Sequence, residues 1–261
     1  MTDQVSDTAS AELTVTLSGD HVATLEFSRP PSNFFSLGLI TALADACDEL
    51  AAGGACRAIV LCSAGRVFCA GADFASKETG SGGLRDLYGA AERLFAQPLP
   101  IVAAVQGAAI GGGLGLALAA DFRVASPDAR FAANFALLGI HPGFALSLTL
   151  PAVIGQQAAL ELLYTGRRVR GDEAVTLGLA DQLAAPAQVR EEAHAFAARI
   201  AASAPLAVRS IRQTVRGPLA DQARAAMARE RAEQERLMHS ADWSEGQAAV
   251  RDRRPARFTG Q

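Results

Sequence analysis

An α/β fold with a largely parallel sheet and a helical carboxy-terminal part is predicted by three features of the sequence. Short apolar runs at 57–63 and 101–105, each bounded by turn residues, are typical of buried strands. Segments with helical periodicity alternate with these runs, which favours parallel pairing of the strands. From about Gln188 onward, helical patterns recur without strands between them. With 261 residues, 50% of them hydrophobic, the chain is long enough to bury one large core.

The first elements are predicted as a β-hairpin and a capped helix. Leucine and valine alternate with threonine over 13–17, turn residues follow at 18–20, and strand character resumes over 22–28. Ser36 is a typical N-cap, because apolar residues recur behind it at three- and four-residue spacing. After the strand at 57–63, the predicted elements are, in order, a helix at 84–97, a strand at 101–105, a helix at 114–120, and strands at 121–126 and 130–133.

The carboxy-terminal part is predicted to consist of helices only. Leucine and alanine occupy one side of each pattern, and arginine and glutamate the other, so these helices are amphipathic. We expect them to pack on the core and to contact neighbouring subunits. The sequence thus predicts a spiral core at 1–195 and a helical oligomerisation subdomain at 196–261. The predicted helices lie at 189–202, 206–216, 219–239 and 244–253.

Charge and composition argue against several classes of protein. The formal net charge is −3, with 24 basic and 27 acidic residues, whereas a nucleic-acid-binding protein needs a basic face to neutralise phosphates. The four cysteines form no C-x-x-C pair and the four histidines are scattered, so we expect no metal site. The longest apolar stretch, 101–120, contains Gln106 and five glycines, which is atypical of a membrane span. Residues 1–11 are polar and acidic, so we expect a cytoplasmic protein.

Two of the predicted strands run into loops of small residues. The strand at 57–63 leads to Phe-Cys-Ala-Gly-Ala-Asp at 68–73, and the strand at 101–105 leads to the glycines between Gly107 and Gly113. Small residues allow the backbone to approach a ligand closely, and a helix N-terminus offers unpaired N–H groups. Two such loops side by side would direct two N–H donors at one developing oxyanion. The alternative is that these glycines only form turns.

Three competing motifs are absent from the sequence. A dinucleotide-binding G-x-G-x-x-G fails at its last position, where this chain has leucine. A phosphate-binding P-loop needs a Gly-Lys pair, and the only lysine, Lys77, lies elsewhere. Ser63 lacks the first glycine of a nucleophile elbow. The two loops of small residues therefore remain the main candidate for a functional site.

A series of short motifs extends over nearly the whole chain, from 13 to 258. They read SRP at 28–30, FCAGAD at 68–73, GAAIGGG at 107–113, DFRVA at 121–125, LGIHPG at 138–143, LYTG at 163–166, DWSEG at 242–246 and RPARF at 254–258. Their order and spacing strongly resemble the crotonase (enoyl-CoA hydratase/isomerase) superfamily. The resemblance implies a spiral of ββα units and a helical carboxy-terminal part. It also implies a coenzyme A thioester as substrate, no bound cofactor, and a homotrimer or dimer of trimers.

The resemblance assigns roles to residues that match the family motifs. The backbone N–H groups of Ala72 and Gly112 fall at the positions that stabilise the enolate oxygen of a bound thioester. Asp73 follows the first of them. Glu78 and Tyr88 lie in or beside the next stretch, from which either could enter the acyl site. Substrate binding is implied for Arg29, Asn33, Phe34, Ala70 and Phe74 around coenzyme A, and for Gly111, Gly115, Asn134 and Phe135.

Two positions depart from the family pattern. Hydratases of the family use two glutamates for acid–base chemistry, and the matching positions here hold Gly115 and Phe135. Neither side chain exchanges protons, so hydration by the usual route is not expected. His141 is the first candidate to replace them, because imidazole titrates near neutrality, and Asp73 is the second. The alternative for His141 is structural hydrogen bonding, and for Asp73 it is holding its loop in shape.

The sequence therefore leaves three hypotheses. In the first, the protein is an enoyl-CoA hydratase/isomerase family enzyme that stabilises the enolate of an acyl-CoA with an unusual acid–base group. In the second, it is a catalytically inactive subunit that binds acyl-CoA or serves in an assembly. In the third, it is a thioester hydrolase, decarboxylase or isomerase with a different acid or base.

Overall fold

Two β-sheets lie at the centre of the computed structural model, which describes residues 4–5, 12–72 and 83–261. In chain order the strands are β1 (Gln4–Val5), β2 (Leu13–Leu17), β3 (Val22–Phe27), β4 (Ala58–Ser63), β5 (Ile101–Val105), β6 (Ala108–Ile110), β7 (Phe122–Ala125), β8 (Arg130–Ala132), β9 (Val169–Arg170) and β10 (Gln182–Leu183). The larger sheet has the order β1-β2-β3-β4-β5-β7-β10, antiparallel as far as β3 and parallel from there onward. In the smaller sheet, β8 pairs parallel with β6 and antiparallel with β9.

Helices cover both faces of the larger sheet. In chain order they are α1 (Leu37–Gly53), α2 (Gly83–Ala96), α3 (Gly112–Ala119), α4 (Leu146–Ile154), α5 (Gln156–Thr165), α6 (Gly171–Thr176), α7 (Val189–Ala201), α8 (Pro205–Leu237) and α9 (Ala241–Arg251). Helix α7 packs on one face of the sheet, while α1, α2 and α3 belong to the core cluster on the other. A strand of the larger sheet is followed by a short strand of the smaller one at β5–β6 and again at β7–β8.

Strand β4 illustrates why the central strands are apolar throughout. All six of its residues are buried. Ile59 and Leu61 pack in the cluster that contains α1, whereas Val60 and Cys62 pack in the cluster that contains α7. Successive side chains of a strand point to opposite faces, so a strand that is covered on both sides needs an apolar residue at nearly every position. The buried strand predicted here is confirmed.

The predicted α/β fold with a helical carboxy-terminal part is confirmed. The amino-terminal hairpin is antiparallel, with Leu13 opposite Phe27. The Ser36 hydroxyl accepts the Leu39 N–H at 3.1 Å and so caps α1. Gly54, with a φ of 73°, ends that helix. Local sequence signals therefore act in the structure as expected at these positions.

Helix boundaries in the carboxy-terminal part differ from the prediction. The helices predicted at 206–216 and 219–239 are one helix, α8, which contains Pro218. Its packing against α2 and α4 outweighs the weak helical propensity of Gly217 and Pro218. Helix α9 begins at Ala241 rather than at 244, because the Ser240 hydroxyl accepts the Trp243 N–H at 3.1 Å and caps it there.

The region between β8 and α7 contains helices that the sequence patterns do not predict. Helices α4, α5 and α6 are short, and their apolar residues are interspersed with glycine and proline. Helix α7 crosses residue 195 and packs on the larger sheet. The division of the chain into 1–195 and 196–261 stays a prediction.

Neither a membrane segment nor a metal centre is found in the part of the chain that the structure describes. No helix there is long and apolar enough to cross a membrane. No group of three or more histidine, cysteine, aspartate or glutamate residues is arranged there to hold a metal ion. All four cysteines are buried free thiols. A cavity is therefore the remaining kind of candidate site among these residues.

Candidate active site

A largely apolar cavity of about 550 Å³ lies where the segments 70–72 and 110–112 meet α2, α8 and α9. This volume lies within the range of pockets that bind small molecules. Both segments belong to the loops of small residues that the sequence predicts as a functional site. Among the described residues, six aromatic side chains line the cavity, namely Phe34, Phe35, Tyr88, Phe135, Phe144 and Trp243.

Backbone hydrogen bonds hold the two loops together. The Cys69 N–H donates to the Ala108 carbonyl at 2.9 Å, and the Ile110 N–H donates to the Cys69 carbonyl at 3.0 Å. A Cβ on Gly113 would lie 2.1 Å from the Cys69 carbonyl oxygen, so only glycine permits this approach. The two loops are therefore in direct contact.

This contact brings the backbone N–H groups of Ala72 and Gly112 close to each other in the cavity wall. A Cβ on Gly112 would lie 3.9 Å from the Ala72 nitrogen, and a Cβ on Gly71 would lie 3.3 Å from the Gly112 nitrogen. Gly112 is the first residue of α3, so its N–H has no acceptor within the helix. Among the described residues, neither N–H is hydrogen-bonded. Both groups are thus available to donate to a ligand.

Phenylalanine rings lie directly against the glycines at 111 and 112. The Phe35 Cζ atom is 2.6 Å from where a Gly112 Cβ would lie, and the Phe135 Cζ atom is 3.5 Å from the corresponding position at Gly111. The Phe35 ring also contacts Phe144, with ring centroids 5.3 Å apart. An apolar surrounding of this kind lowers the local dielectric and strengthens a hydrogen bond from a backbone N–H to a ligand oxygen.

Phe144 occupies the space next to Gly115. A Cβ on Gly115 would lie 2.6 Å from the Phe144 Cβ and 2.9 Å from the Phe144 carbonyl oxygen. Gly115 itself is buried and lies outside the cavity lining. Phe144 and Ala145 have φ values of 58° and 57°, a left-handed conformation that is costly for residues other than glycine. Other parts of the chain must therefore hold this segment in place.

Glu230 of α8 holds the strained segment from the interior of the protein. Its carboxylate accepts hydrogen bonds from the Ala145 N–H at 2.8 Å, the Ser147 N–H at 2.9 Å and the Ser147 hydroxyl at 2.6 Å. The Glu230 side chain is fully buried. Burial raises the pKa of Glu230, although the three hydrogen bonds oppose the shift. Glu230 thus positions the part of the wall that carries Phe144.

Tyr88 and Gln234 form a second link between α8 and this wall. The Tyr88 hydroxyl donates to Gln234 Oε1 at 2.7 Å, and Gln234 Nε2 donates to the His141 carbonyl at 3.1 Å. Burial, with a smaller effect from the nearby Glu230 charge, raises the pKa of Tyr88, so the phenol stays protonated at neutral pH. Of the described lining residues, Tyr88 and Arg251 are the ionisable ones, and no carboxylate is among them. The described wall offers hydrogen-bond donors rather than a general base.

The cavity contains several residues predicted to contact the substrate. The predicted residues in its lining are Phe34, Ala70, Ala72, Gly111, Gly112, Asn134 and Phe135, together with Tyr88. Asp73, Phe74 and Glu78 lie outside the described residues. For these three, contact with the substrate stays a prediction.

Arg29 and Asn33 lie outside the cavity lining and stabilise a turn. The buried Asn33 carboxamide accepts the Arg29 N–H at 2.8 Å and donates to the carbonyl oxygens of Ala64 and Val67 at 2.8 and 2.7 Å. The Arg29 guanidinium forms an ion pair with Glu12 at 2.8 Å. The turn precedes Phe34 and Phe35, so both residues support the rim of the cavity.

The His141 ring also lies outside the cavity lining. Its Nδ1 atom is 2.8 Å from the Pro142 carbonyl oxygen, and its own carbonyl oxygen accepts the Gln234 amide. The contacts of His141 therefore serve the loop that leads to Phe144. A catalytic role for its imidazole stays a prediction.

Sequence reasoning missed the contribution of α8 to the cavity. Ala223, Met227, Glu230 and Gln234 are the buried residues of this helix. They recur at intervals of four, three and four residues, so they share one helical face. On this face, the apolar side chains of Ala223 and Met227 are followed by the polar side chains of Glu230 and Gln234. Polar residues at positions where the helical pattern predicts burial are a sequence signal for buried polar contacts.

Comparisons with known proteins identify one family. Residues 18–261 match the family described as enoyl-CoA hydratase/isomerase. The crystal structure of an enoyl-CoA hydratase/isomerase from Pseudoalteromonas atlantica T6c has a TM-score of 0.85 at 32% identity and covers 95% of this chain and 100% of its own. The crystal structure of an enoyl-CoA hydratase from Mycobacterium avium subsp. paratuberculosis K-10 has a TM-score of 0.83 at 29% identity and covers 96% of this chain and 100% of its own.

A curated relative leads to the same assignment. The enoyl-CoA isomerase/hydratase fer4 of Mycosarcoma maydis is 35% identical over 212 residues, which cover 78% of this chain and 77% of that protein. The family match spans both loops of small residues, the described cavity and the helices from α4 to α9. This chain therefore belongs to the enoyl-CoA hydratase/isomerase family of the crotonase superfamily.

Proposed function

We propose that the protein binds an acyl-CoA thioester in the cavity and polarises its carbonyl with the N–H groups of Ala72 and Gly112. The observation that carries this proposal is the pair of neighbouring backbone amides, without acceptors among the described residues, in an apolar wall. A thioester oxygen between the two donors would accept both hydrogen bonds. Phe34 and Ala70, on the cavity wall beside these donors, are proposed to contact the coenzyme A portion, with Arg29 and Asn33 supporting them.

Two fixed donors stabilise an enolate more than they stabilise the neutral thioester. Negative charge accumulates on the thioester oxygen when the α-carbon loses a proton or a carboxylate. Donors that are fixed beforehand require no reorganisation at that moment, and losing one such donor typically costs roughly 2.7–4 kcal/mol of transition-state stabilisation. The proposed chemistry therefore passes through an enolate of the acyl group.

Ordinary hydration of an enoyl-CoA is not the reaction we propose. Adding water across a double bond needs a group that accepts a proton from water, and the described lining contains no carboxylate. The positions matched to the family glutamates hold Gly115 and Phe135. Decarboxylation, or isomerisation with another acid or base, fits better, since each forms an enolate. Thioester hydrolysis, which instead forms a tetrahedral oxyanion at the same two donors, would also need another base to activate water. Among these, decarboxylation needs no base, because the released CO₂ leaves the electron pair that forms the enolate.

The same observation favours a second candidate function. A cavity that binds a thioester without a proton-transfer group can hold an acyl-CoA without turning it over. This candidate predicts binding of CoA thioesters and no turnover across a broad panel of acyl groups. Efficient turnover of any acyl-CoA would exclude it.

A test of the donor pair uses acetoacetyl-CoA, whose enolate absorbs in the near ultraviolet. Gly112→Pro removes the N–H, and Gly112→Ala is the matched control, since both place a Cβ against the Phe35 ring. We expect the wild-type protein to increase the enolate band, and Gly112→Pro to lower it at least tenfold relative to Gly112→Ala. Equal bands in the two folded variants, checked by circular dichroism, would contradict the role of Gly112.

A test of the reaction class measures hydration of crotonyl-CoA from the loss of its enoyl absorbance. We expect the wild-type rate to be at background, and Phe135→Glu to raise it, because this change places a carboxylate beside Gly111. Phe135→Gln is the control of equal size without a base. Robust hydration by the wild-type protein would show that the residues at 115 and 135 do not decide the reaction.

The proposal includes a cytoplasmic homotrimer or dimer of trimers, with no nucleic acid or membrane as partner and no cofactor besides the coenzyme A of the substrate. Support for an assembly comes from the amino-terminal half of α8. Leu206, Ile211 and Val215 expose 82%, 62% and 73% of their surface there. Ile211 and Val215 lie four residues apart and so form an exposed apolar pair on one face of the helix, a feature of surfaces that bind another protein.

A further inference from the structure

Helix α3 presents the Gly112 N–H at one end and contacts two arginines at the other. None of its eight residues carries a charged side chain, and all of them except Gly112 are buried. The helix therefore runs through an apolar interior, with its two ends about 12 Å apart. The two guanidinium groups come from later parts of the chain, Arg123 from β7 and Arg216 from α8.

Both arginines bind the carbonyl groups at the carboxy-terminal end of α3. Arg216 Nη1 donates to the Ala120 carbonyl at 3.1 Å, and Arg216 Nη2 donates to the Ala119 carbonyl at 3.2 Å. Arg123 Nη1 also donates to the Ala120 carbonyl, at 3.2 Å. The last carbonyl groups of a helix have no acceptor role within it and form the negative end of its dipole. Two cations therefore lie directly on the negative end of α3.

The side chains around this end of α3 leave an excess of positive charge. Asp121 pairs with Arg212 at 3.1 Å and with Arg216 at 3.2 Å, and Asp181 pairs with Arg123 at 3.1 Å. Among the described residues of this cluster, three arginines thus face two aspartates. Burial lowers the pKa of Arg123 and of Arg216, yet a guanidinium keeps its charge at neutral pH. Since the side chains of Arg123, Arg212 and Asp121 are all at least nine-tenths buried, solvent screens the excess only weakly.

We propose that Arg123 and Arg216 stabilise an enolate at the opposite end of α3. The positive end of the helix dipole attracts an oxyanion at the Gly112 N–H, whereas the negative end repels it. The two guanidinium groups remove this repulsion and add an attraction of their own. Neither arginine touches the ligand, so both are positioning residues that act through the helix. The proposal rests on the proposed function, which places the thioester oxygen at Ala72 and Gly112.

This effect distinguishes an enolate from a neutral thioester. A neutral carbonyl has no net charge, so the arginines contribute little to its binding, and they favour the charged state that forms during the reaction. The oxyanion and the guanidinium groups lie roughly 18 Å apart along the helix. With an effective dielectric constant of about 20, one unit charge at this distance changes an equilibrium that creates an anion about fivefold. We therefore expect the arginines to change enolate formation and not the affinity for a neutral thioester.

A pH titration of bound acetoacetyl-CoA tests the proposal, because its enolate band measures the equilibrium between neutral and charged ligand. Arg216→Gln removes the charge but keeps an N–H donor for a helix carbonyl, whereas Arg216→Lys keeps the charge. We expect Arg216→Gln to raise the pH at which half of the bound ligand is enolate by about 0.7 unit, which corresponds to the fivefold effect. Arg216→Lys should stay close to the wild-type midpoint. The affinity for butyryl-CoA, measured by calorimetry, should be the same in all three proteins.

Asp181→Asn tests the same proposal with the opposite sign. It removes a negative charge from the cluster but keeps an oxygen that accepts the Arg123 N–H, so it should lower the pH midpoint. The matched control is Arg224→Gln, at an exposed position of α8, which should leave the midpoint unchanged.

Circular dichroism checks that each variant is folded, and if Arg216→Gln is not, the direction of the shift in Asp181→Asn decides. Equal midpoints in the wild-type protein, Arg216→Gln and Asp181→Asn would overturn the proposal, as would equal shifts in Arg216→Gln and Arg216→Lys. If the wild-type protein shows no enolate band at any pH, the proposed function fails instead.

Discussion

Individual small residues determine how closely the two loops approach, and their role could be predicted from the sequence. Glycine and alanine at 70–72 and 111–113 have little or no side chain, so they leave the backbone accessible without depending on contacts with distant residues. The contacts of Phe144 and Glu230 could not be predicted, because their partners are distant in the chain, and the helical periodicity of α8 signals only that Glu230 is buried. Glu230 lies in a run of charged residues that is typical of a solvent-exposed helix, yet it is fully buried.

The contact between Gly115 and Phe144 predicts the effect of a single methyl group. Gly115→Ala places a Cβ 2.6 Å from the Phe144 Cβ, so we expect the free energy of unfolding to fall by about 1–3 kcal/mol. The control is Gly89→Ala in α2, where nothing lies within 4 Å of the new Cβ, and a gain of about 0.5–1 kcal/mol is expected. Urea denaturation measures both. A stable Gly115→Ala variant would show that Phe144 is free to move.

The buried Glu230 predicts a pH dependence of stability. Its pKa is raised in the folded chain and is close to 4.5 in the unfolded chain. Between these two values only the folded chain holds the proton, so the free energy of unfolding falls as the pH rises, by up to about 1.4 kcal/mol per pH unit. Glu230→Gln lacks this contribution.

We therefore expect the stability difference, wild type minus Glu230→Gln, to decrease as the pH rises above 4.5 and to level off above the raised pKa. Urea denaturation at a series of pH values measures it, and Asp221→Asn, at an exposed position of the same helix, is the control. A difference that does not change with pH would contradict this assignment.

At the scale of elements, the predictions succeed where a local pattern and the tertiary environment agree. Strand β4 is apolar at successive positions because both of its faces are covered, and α1 begins at its serine cap. The prediction fails where packing overrides the local signal, as in α8, which continues through Gly217 and Pro218. The start of α3 at Gly112 rather than at 114 matters most, because it makes the Gly112 N–H the first of its helix.

Helix α8 predicts a stabilising substitution. Pro218 lies inside the helix, where it cannot donate a backbone hydrogen bond to the carbonyl four residues earlier. Pro218→Ala restores this bond, and we expect the free energy of unfolding to rise by about 1–3 kcal/mol. Thermal and urea unfolding would measure the gain, with Pro205→Ala at the first position of the same helix as a control expected to give little change. A loss of stability would mean that the helix requires the proline.

Over the whole molecule, α8 connects distant parts of the chain. Arg212 and Arg216 near its amino-terminal end form ion pairs with Asp121 at 3.1 and 3.2 Å, at the start of β7. Glu230 and Gln234 near its other end hold the wall of the cavity. The helix is therefore part of the site as well as part of the carboxy-terminal region. A division of the chain into a binding core and a helical appendage would separate groups that act together.

The exposed side of the same helix predicts the assembly state. If Ile211 and Val215, which lie four residues apart on one face of the helix, form a contact between subunits, the double change Ile211→Glu and Val215→Glu should convert a trimer or hexamer into monomers. Analytical ultracentrifugation measures the mass, and circular dichroism checks that the variant is folded. A wild-type protein that sediments as a monomer would contradict the proposed assembly.

The close fit of Phe144 against Gly115 also bears on how such a site changes during evolution. A longer side chain at 115 meets the Phe144 backbone and ring, so this substitution alone produces an overpacked intermediate. A smaller residue at 144 alone leaves a cavity beside Phe35 and Phe95, whose rings contact Phe144. Either first step is costly. We therefore expect the two positions to change together, with a glutamate at 115 accompanied by a smaller residue at 144.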